Sequence, residues 1–196
     1  MIQLHASKAL FAKLSVDEHG RLPEQPQTAY LSGREPHSGS SLKSSSLNSS
    51  SLNSSSGNPL SGWHAHLFSL QRRQCVLWVH DATRFSLFMP CLTKPDFVAL
   101  QWHFVDSLMN TLLKVGASDE QMQTAERLLQ PLVIDAVCSR SVQGTLNRMK
   151  GDVEHMLNYD GVSVTELSGY RTGVWLADRP CNIKGYVLEP CCSRLS

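Results

Sequence analysis

The 196-residue sequence has no long apolar run. Nothing in it approaches the roughly 18 consecutive apolar positions that a membrane helix needs. The opening Met-Ile-Gln-Leu-His-Ala-Ser-Lys has neither the basic segment nor the apolar stretch of a secretory signal. A cytoplasmic protein is therefore expected. An excess of one charge is missing as well. Eighteen basic residues stand against 17 acidic ones, a net charge of +1, so a nucleic acid or anionic membrane could be held only by a local patch. The sequence lacks the glycine-rich phosphate loops G-x-x-x-x-G-K-S/T and G-x-G-x-x-G, the G-x-S-x-G nucleophile turn and any C-x-x-C pair. The six cysteines therefore carry no metal-ribbon or redox signature. Cys75 and Cys138 sit in apolar runs, where a free thiol acts as a small hydrophobe, and reduced thiols are expected throughout.

What is present divides in two. Between Ser38 and Ser56 the chain reads SGSSLKSSSLNSSSLNSSS, with SSSLN at Ser44–Asn48 repeated at Ser49–Asn53. Such a stretch buries too little apolar surface to offset its ordering entropy. Together with the prolines and glycines around it, residues 15–61 read as a flexible low-complexity insert, and residues 191–196 as a flexible tail. The tandem repeat suggests a neutral expansion.

Residues 1–14 and 62–190 are then expected to form one domain. Met1–His5 has the length of a strand, and Ser7 is placed to cap a short helix over Lys8–Leu14. Trp63–Leu70, Gln74–His80 and Arg84–Met89 are short runs rich in Val, Leu, Phe and Trp, separated by polar triplets. They predict a β-meander whose connections are too short for crossovers. Pro95–Val115 carries Phe97, Leu100, Phe104, Leu108, Leu112 and Val115 at helical spacing and ends at Gly116. Ser118-Asp-Glu-Gln121 is a capping-box pattern that starts a second helix. Leu132–Val137 has strand length. A helix capped by Ser139 or Ser141 then runs to about Leu157, with Val142, Leu146, Met149, Val153 and Met156 in one stripe. Val162–Leu167 and Gly173–Ala177 read as weak strands. The expected fold class is α+β, a mostly antiparallel sheet covered on one face by amphipathic helices.

Several of these segments resemble a known family. The opening MIQLHASKAL, the strand Trp63-His64-Ala65-His66-Leu67, the turn Gln71-Arg72-Arg73-Gln74, the helix start Ser139–Asn147 (SRSVQGTLN), the stretch Leu176–Cys181 (LADRPC) and Gly185-Tyr186 are similar to a family of uncharacterised bacterial proteins catalogued only as a domain of unknown function. The departures are Ser139 where the family has Asn, Gln143 where it has Leu, and His64 and His66 where it has Tyr and Asn. The resemblance implies a fold and a prokaryotic origin but no activity. It also motivates an accessory role at a mobile-element, toxin–antitoxin or defence locus.

Three groups of residues could carry chemistry. His64 and His66 alternate on one strand, so both rings face one side about 7 Å apart, and His80 or His103 could complete a metal site. No carboxylate or cysteine has matching spacing, so two histidines on a half-exposed face are the plainer reading and no metal or other cofactor is expected. Arg140 and Ser141 open a helix, with Asn147 further along it. Free backbone N–H groups, the positive end of the helix dipole and an arginine together suit an anion, although an arginine satisfying a carbonyl or a carboxylate such as Asp135 would look the same. Arg72 and Arg73, with Arg84, Arg148 and Lys150, could form a basic patch, but the balanced charge of the folded part argues against a broad nucleic-acid surface. The carboxylates Asp81, Asp135, Asp152 and Glu154 read as dispersed. The expectation is a binding module for a protein or a small anionic ligand. The alternative is an enzyme acting on an anionic or phosphate-bearing substrate near Arg140, Ser141 and Asn147.

Overall fold

The computed structural model describes residues 1–23, 57–179, 181–183 and 186–188. The serine-rich repeat and the last six residues lie outside them. The elements follow in the order β1 (Ile2–Ala6), α1 (Lys8–Phe11), β2 (Trp63–Leu70), β3 (Arg73–His80), β4 (Ser86–Leu92), α2 (Lys94–Val98), α3 (Leu100–Lys114), α4 (Asp119–Leu128), β5 (Leu132–Asp135), α5 (Arg140–Asp160), a 3-10 turn (Val164–Glu166), α6 (Gly169–Ala177), β6 (Cys181–Ile183) and β7 (Tyr186–Leu188). The fold is α+β, as expected.

The three consecutive strands form the predicted meander: β2 pairs antiparallel with β3, and β3 with β4. The sheet is larger than that meander, and it is mixed. Its order is β4-β3-β2-β1-β5, and β1 lies parallel to both β2 and β5. β1 can lie parallel to β2 because 56 residues separate them, ample for a crossover. The flanks of that connection are tied to the sheet. Arg21 bridges Val133, the Ile134 amide donates to the Gly20 carbonyl at 2.7 Å, and the Gln3 amide donates to Ser61 Oγ at 2.9 Å.

Helices cover both faces of the sheet, where one covered face was expected. Ile2, Leu4, Ala6, Trp63, Ala65, Val76 and Trp78 meet Leu100, Phe104 and Leu108 of α3 on one side. Phe68, Cys75, Leu77 and Val79 meet Val142, Leu146, Met149, Val153 and Leu157 of α5 on the other. The continuous apolar run Cys75–Val79 is the physical cause. A strand with both neighbours paired and apolar groups on both faces must be covered twice. Each fully buried Leu, Val or Phe contributes roughly 1.5–3 kcal/mol by burial.

Local readings are refined in five places. The predicted single helix over 95–115 breaks at Ala99, where α2 ends and α3 begins. The helix after Ser7 is one turn long, with Ser7 Oγ accepting from the Leu10 amide. β4 does not stop at Pro90 but runs on to Leu92 through a bulge, with Cys91 at φ +57°. Because β4 is an edge strand, a residue without an N–H is tolerated there. Segments 162–167 and 173–177, read as strands, are a 3-10 turn and part of α6. For α6 the cap decides: Ser168 accepts from the Arg171 amide, and Gly169 and Gly173 let the helix lie against β4. A Cβ at Gly169 would stand 2.6 Å from the Phe88 carbonyl oxygen. Finally, Cys138 is exposed, because the apolar run that contains it leaves the sheet at Asp135. Its thiol donates to Gln143 Oε1 at 2.9 Å.

Candidate polar site at the edge of the parallel strands

β1 reads Ile-Gln-Leu-His-Ala, and Ile2, Leu4 and Ala6 are buried. Strand alternation therefore turns Gln3 and His5 to the opposite, α5-bearing face. The parallel register sets His5 beside His64 of β2 on one side and beside Asp135 of β5 on the other. Three polar side chains thus stand in one row across three strands. The β3–β4 connection adds Asp81, whose amide donates to the Gly62 carbonyl at 2.8 Å.

These groups form two hydrogen-bonded sets that face each other. Asp135 accepts from Gln3 Nε2 at 2.8 Å and from the Val137 amide at 2.9 Å, and its Oδ1 lies 2.7 Å from His5 Nδ1. His64 Nδ1 lies 2.6 Å from Asp81 Oδ1. Its other nitrogen, Nε2, accepts the Ser139 amide at 2.9 Å. A backbone N–H can only donate, so the ring proton of neutral His64 is on Nδ1 and points at Asp81. The rings of His5 and His64 are tilted against each other with centroids 4.7 Å apart. His64 is almost closed off, with 6% of its side chain exposed. His5, Asp81 and Asp135 keep 18%, 33% and 34% and form the open rim.

The Ser139 contact brings the start of α5 onto this rim. Arg84, with 4% of its surface exposed and φ +60°, sits in the β3–β4 connection and donates from Nη2 to Ser141 Oγ at 3.0 Å. A non-glycine residue held in the left-handed region stores strain of order 1–3 kcal/mol. Here it lets a buried guanidinium reach the first turn of a 21-residue helix. The side chain of Ser139 makes no capping bond, and the first helical bond runs from the Gln143 amide to the Ser139 carbonyl.

A family model described as a domain of unknown function, DUF6933, matches residues 3–188. The chain belongs to the DUF6933 family. The resemblance to a domain of unknown function is thereby borne out, and every residue of the polar rim lies inside the DUF6933 match. No curated protein and no solved structure matches the chain.

The residues singled out from the sequence are distributed over the DUF6933 domain as follows. His64 is on the rim, together with Ser141 and the exposed Arg140 at the start of α5. Asp135 is held by His5, not by Arg140. Asn147 is exposed seven residues beyond Arg140, about 10 Å along the helix axis, so it does not join them. Arg72 and Arg73 are exposed at the β2–β3 turn, about 20 Å from His64 by strand rise. Of the histidines proposed to complete a site with His64, none does. His66 is half-buried beside Phe68, with its Nδ1 lacking a hydrogen-bond partner among the described residues. His80 lies against Trp63 and bonds Thr83 and the Ser61 carbonyl. His103 bonds Asp96 on the α3 side. The carboxylates Asp81 and Asp135, dispersed in sequence, meet here. His5 carried only one sequence signal, a polar residue on the α5-facing side of an alternating strand.

Proposed function

We propose that this domain is a binding module that holds a small anionic ligand, a phosphate or carboxylate group, at the rim where β1 and β5 end and α5 begins. The observation that supports it most is buried Arg84, kept in a strained backbone conformation so that its guanidinium meets Ser141 in the first turn of α5. A buried cation and the positive end of a long helix act in the same direction. Exposed Arg140, which makes no ion pair among the described residues, adds a mobile donor able to clamp two oxygens. The carboxylates of Asp81 and Asp135 are each turned toward a histidine, Asp81 to His64 and Asp135 to His5. The position also follows the tendency of ligands to collect at the carboxyl ends of parallel strands.

Thermal denaturation with millimolar phosphate, pyrophosphate, citrate and nucleotides tests this reading. The expected result is a rise in Tm that is largely lost in Arg140→Ala and kept in Arg72→Ala and Arg73→Ala. Ligand at one hundred times its Kd stabilises by about 2.7 kcal/mol. No stabilisation by any of these anions, or an equal rise in Arg140→Ala, overturns it.

A second reading has one observation in its favour. His5 is paired through Nδ1 with Asp135, the arrangement that orients the ring of a general base and fixes its tautomer. An enzyme acting on a phosphate-bearing substrate at this rim would lose turnover on His5→Ala, while the binder would keep its anion affinity.

A further inference from the structure

The rim contains a contact that its own hydrogen bonds leave incomplete. Asp135 already accepts two N–H groups, so the ring nitrogen of neutral His5 that faces it is the protonated one, Nδ1. His5 Nε2 then carries a lone pair. It faces Asp81 Oδ2 at 4.0 Å. The proton of His64 does not fill that gap, because it is committed to Asp81 Oδ1 by the Ser139 contact. Two acceptors, a nitrogen lone pair and a carboxylate oxygen, therefore confront each other across a gap too long for a hydrogen bond. A cation bound between them satisfies both at once.

The geometry points to a divalent transition-metal site, of the zinc or cobalt class, with His5 Nε2 and Asp81 Oδ2 as its protein ligands. Imidazole and carboxylate together suit a borderline ion of this kind. Bonds of about 2.0–2.2 Å from each ligand place the ion between them, and closing their separation by roughly 0.7 Å gives a tetrahedral angle. The rim exposure of Asp81 leaves the other positions to water or to an exogenous ligand. The surrounding bonds match what metal sites need beyond the direct ligands. Asp135 holds the far nitrogen of His5 and fixes its tautomer, and His64 holds the far oxygen of Asp81. His5, His64 and Asp81 offer ligand atoms that all lie within 4.8 Å of one another. Neutral His64 is the positioning residue of the three, because ligation through Nδ1 would cost it both its proton and its bond to Asp81. This inference does not depend on anion binding: the ion uses His5 and Asp81, the anion Arg84, Arg140 and the start of α5.

The test is Zn²⁺ and Co²⁺ binding at pH 7.5 to chelator-stripped, tag-free, full-length protein, by calorimetry and equilibrium dialysis. The background carries Cys138→Ser, Cys181→Ser, Cys191→Ser and Cys192→Ser, so that these thiols do not capture the ion. One ion per chain is expected. Affinity should fall at least tenfold in His5→Ala and in Asp81→Asn, and ten- to a hundredfold in Asp135→Asn, which keeps both ligands and removes only the outer partner. His155→Ala, on the exposed far part of α5, should bind as the parent does. Should His5→Ala or Asp81→Asn fail to fold, as judged by circular dichroism, the Asp135→Asn affinity and the perturbation of the His5 Nε2 resonance by zinc decide instead. No binding at 1 mM, binding unchanged in folded His5→Ala and Asp81→Asn, or a zinc-induced shift confined to other histidines overturns the site. Anion stabilisation surviving that result would leave the binding reading intact, and metal uptake without anion stabilisation would separate the two the other way.

Discussion

The amide of Ser139 donates to Nε2 of His64 across 2.9 Å, joining residues 75 positions apart and tying the start of α5 to the second residue of β2. One bond does two things. It sets the tautomer of His64, and it anchors the loop that carries the chain from β5 into α5.

Replacing His64 with Ala removes the acceptor for Ser139 and the donor for Asp81. The expected loss is about 1–3 kcal/mol, since a nearly closed polar pair is left unmatched. Urea denaturation measures it. His64→Gln, which can restore one of the two bonds, should recover part of the loss.

Glycines on two helices should respond in opposite directions. Gly169→Ala places a Cβ 2.6 Å from the Phe88 carbonyl oxygen and 3.0 Å from Pro90 Cδ, so α6 must move off β4, a change costing roughly 1–3 kcal/mol. Gly144 and Gly151 of α5 have open space around the same position. Their replacement by Ala should stabilise by about 0.5–1 kcal/mol each, because helical alanine loses less backbone entropy. Chemical denaturation of the three variants checks both signs.

Phe104 stands between two tryptophans, with its ring centroid 5.3 Å from that of Trp63 and 5.0 Å from that of Trp78. Phe104→Ala should cost about 3–5 kcal/mol. Tryptophan fluorescence should shift in the folded state as the cavity opens beside both rings. An unshifted spectrum would place Phe104 elsewhere.

His66 supplies a pH dependence. Burial lowers its pKa below the ordinary 6.5, and Lys150 adds to the effect. The folded protein therefore takes up a proton on His66 less readily than the unfolded chain. The stability attached to this group is complete above the unfolded pKa and is lost as pH falls below it toward the folded value. Denaturation of wild type and His66→Phe between pH 5 and 8 should show the difference shifting in favour of the variant as the solution is acidified. A constant difference would contradict the assignment.

Much of this fold can be read from local periodicity, and the site cannot. The α5 stripe from Val142 to Val153 is buried as its spacing predicts, because an amphipathic helix announces its buried face within a few turns. The α6 segment misleads because Thr172, Val174 and Trp175 suit a strand, whereas the Ser168 cap and the close approach to β4 decide for helix. The second covered face was legible in the unbroken apolar run of β3. The parallel pairing of β1 was not. Nothing local to Ile2–Ala6 says that its neighbours come from positions 63–65 and 132–135. His5, His64, Asp81 and Asp135 meet only through that pairing, so their shared chemistry was invisible while the strand order was unknown.

The most direct measurement is the protonation of the two rim histidines by long-range ¹H–¹⁵N NMR near pH 8, without added metal. The bonds from Ser139 to His64 and from His64 to Asp81, with the separate bond from His5 to Asp135, predict that both rings carry their proton on Nδ1, with Nε2 bare. A proton on Nε2 of His64 would contradict the Ser139 anchor. A proton on Nε2 of His5 would remove the facing acceptors on which the metal site rests.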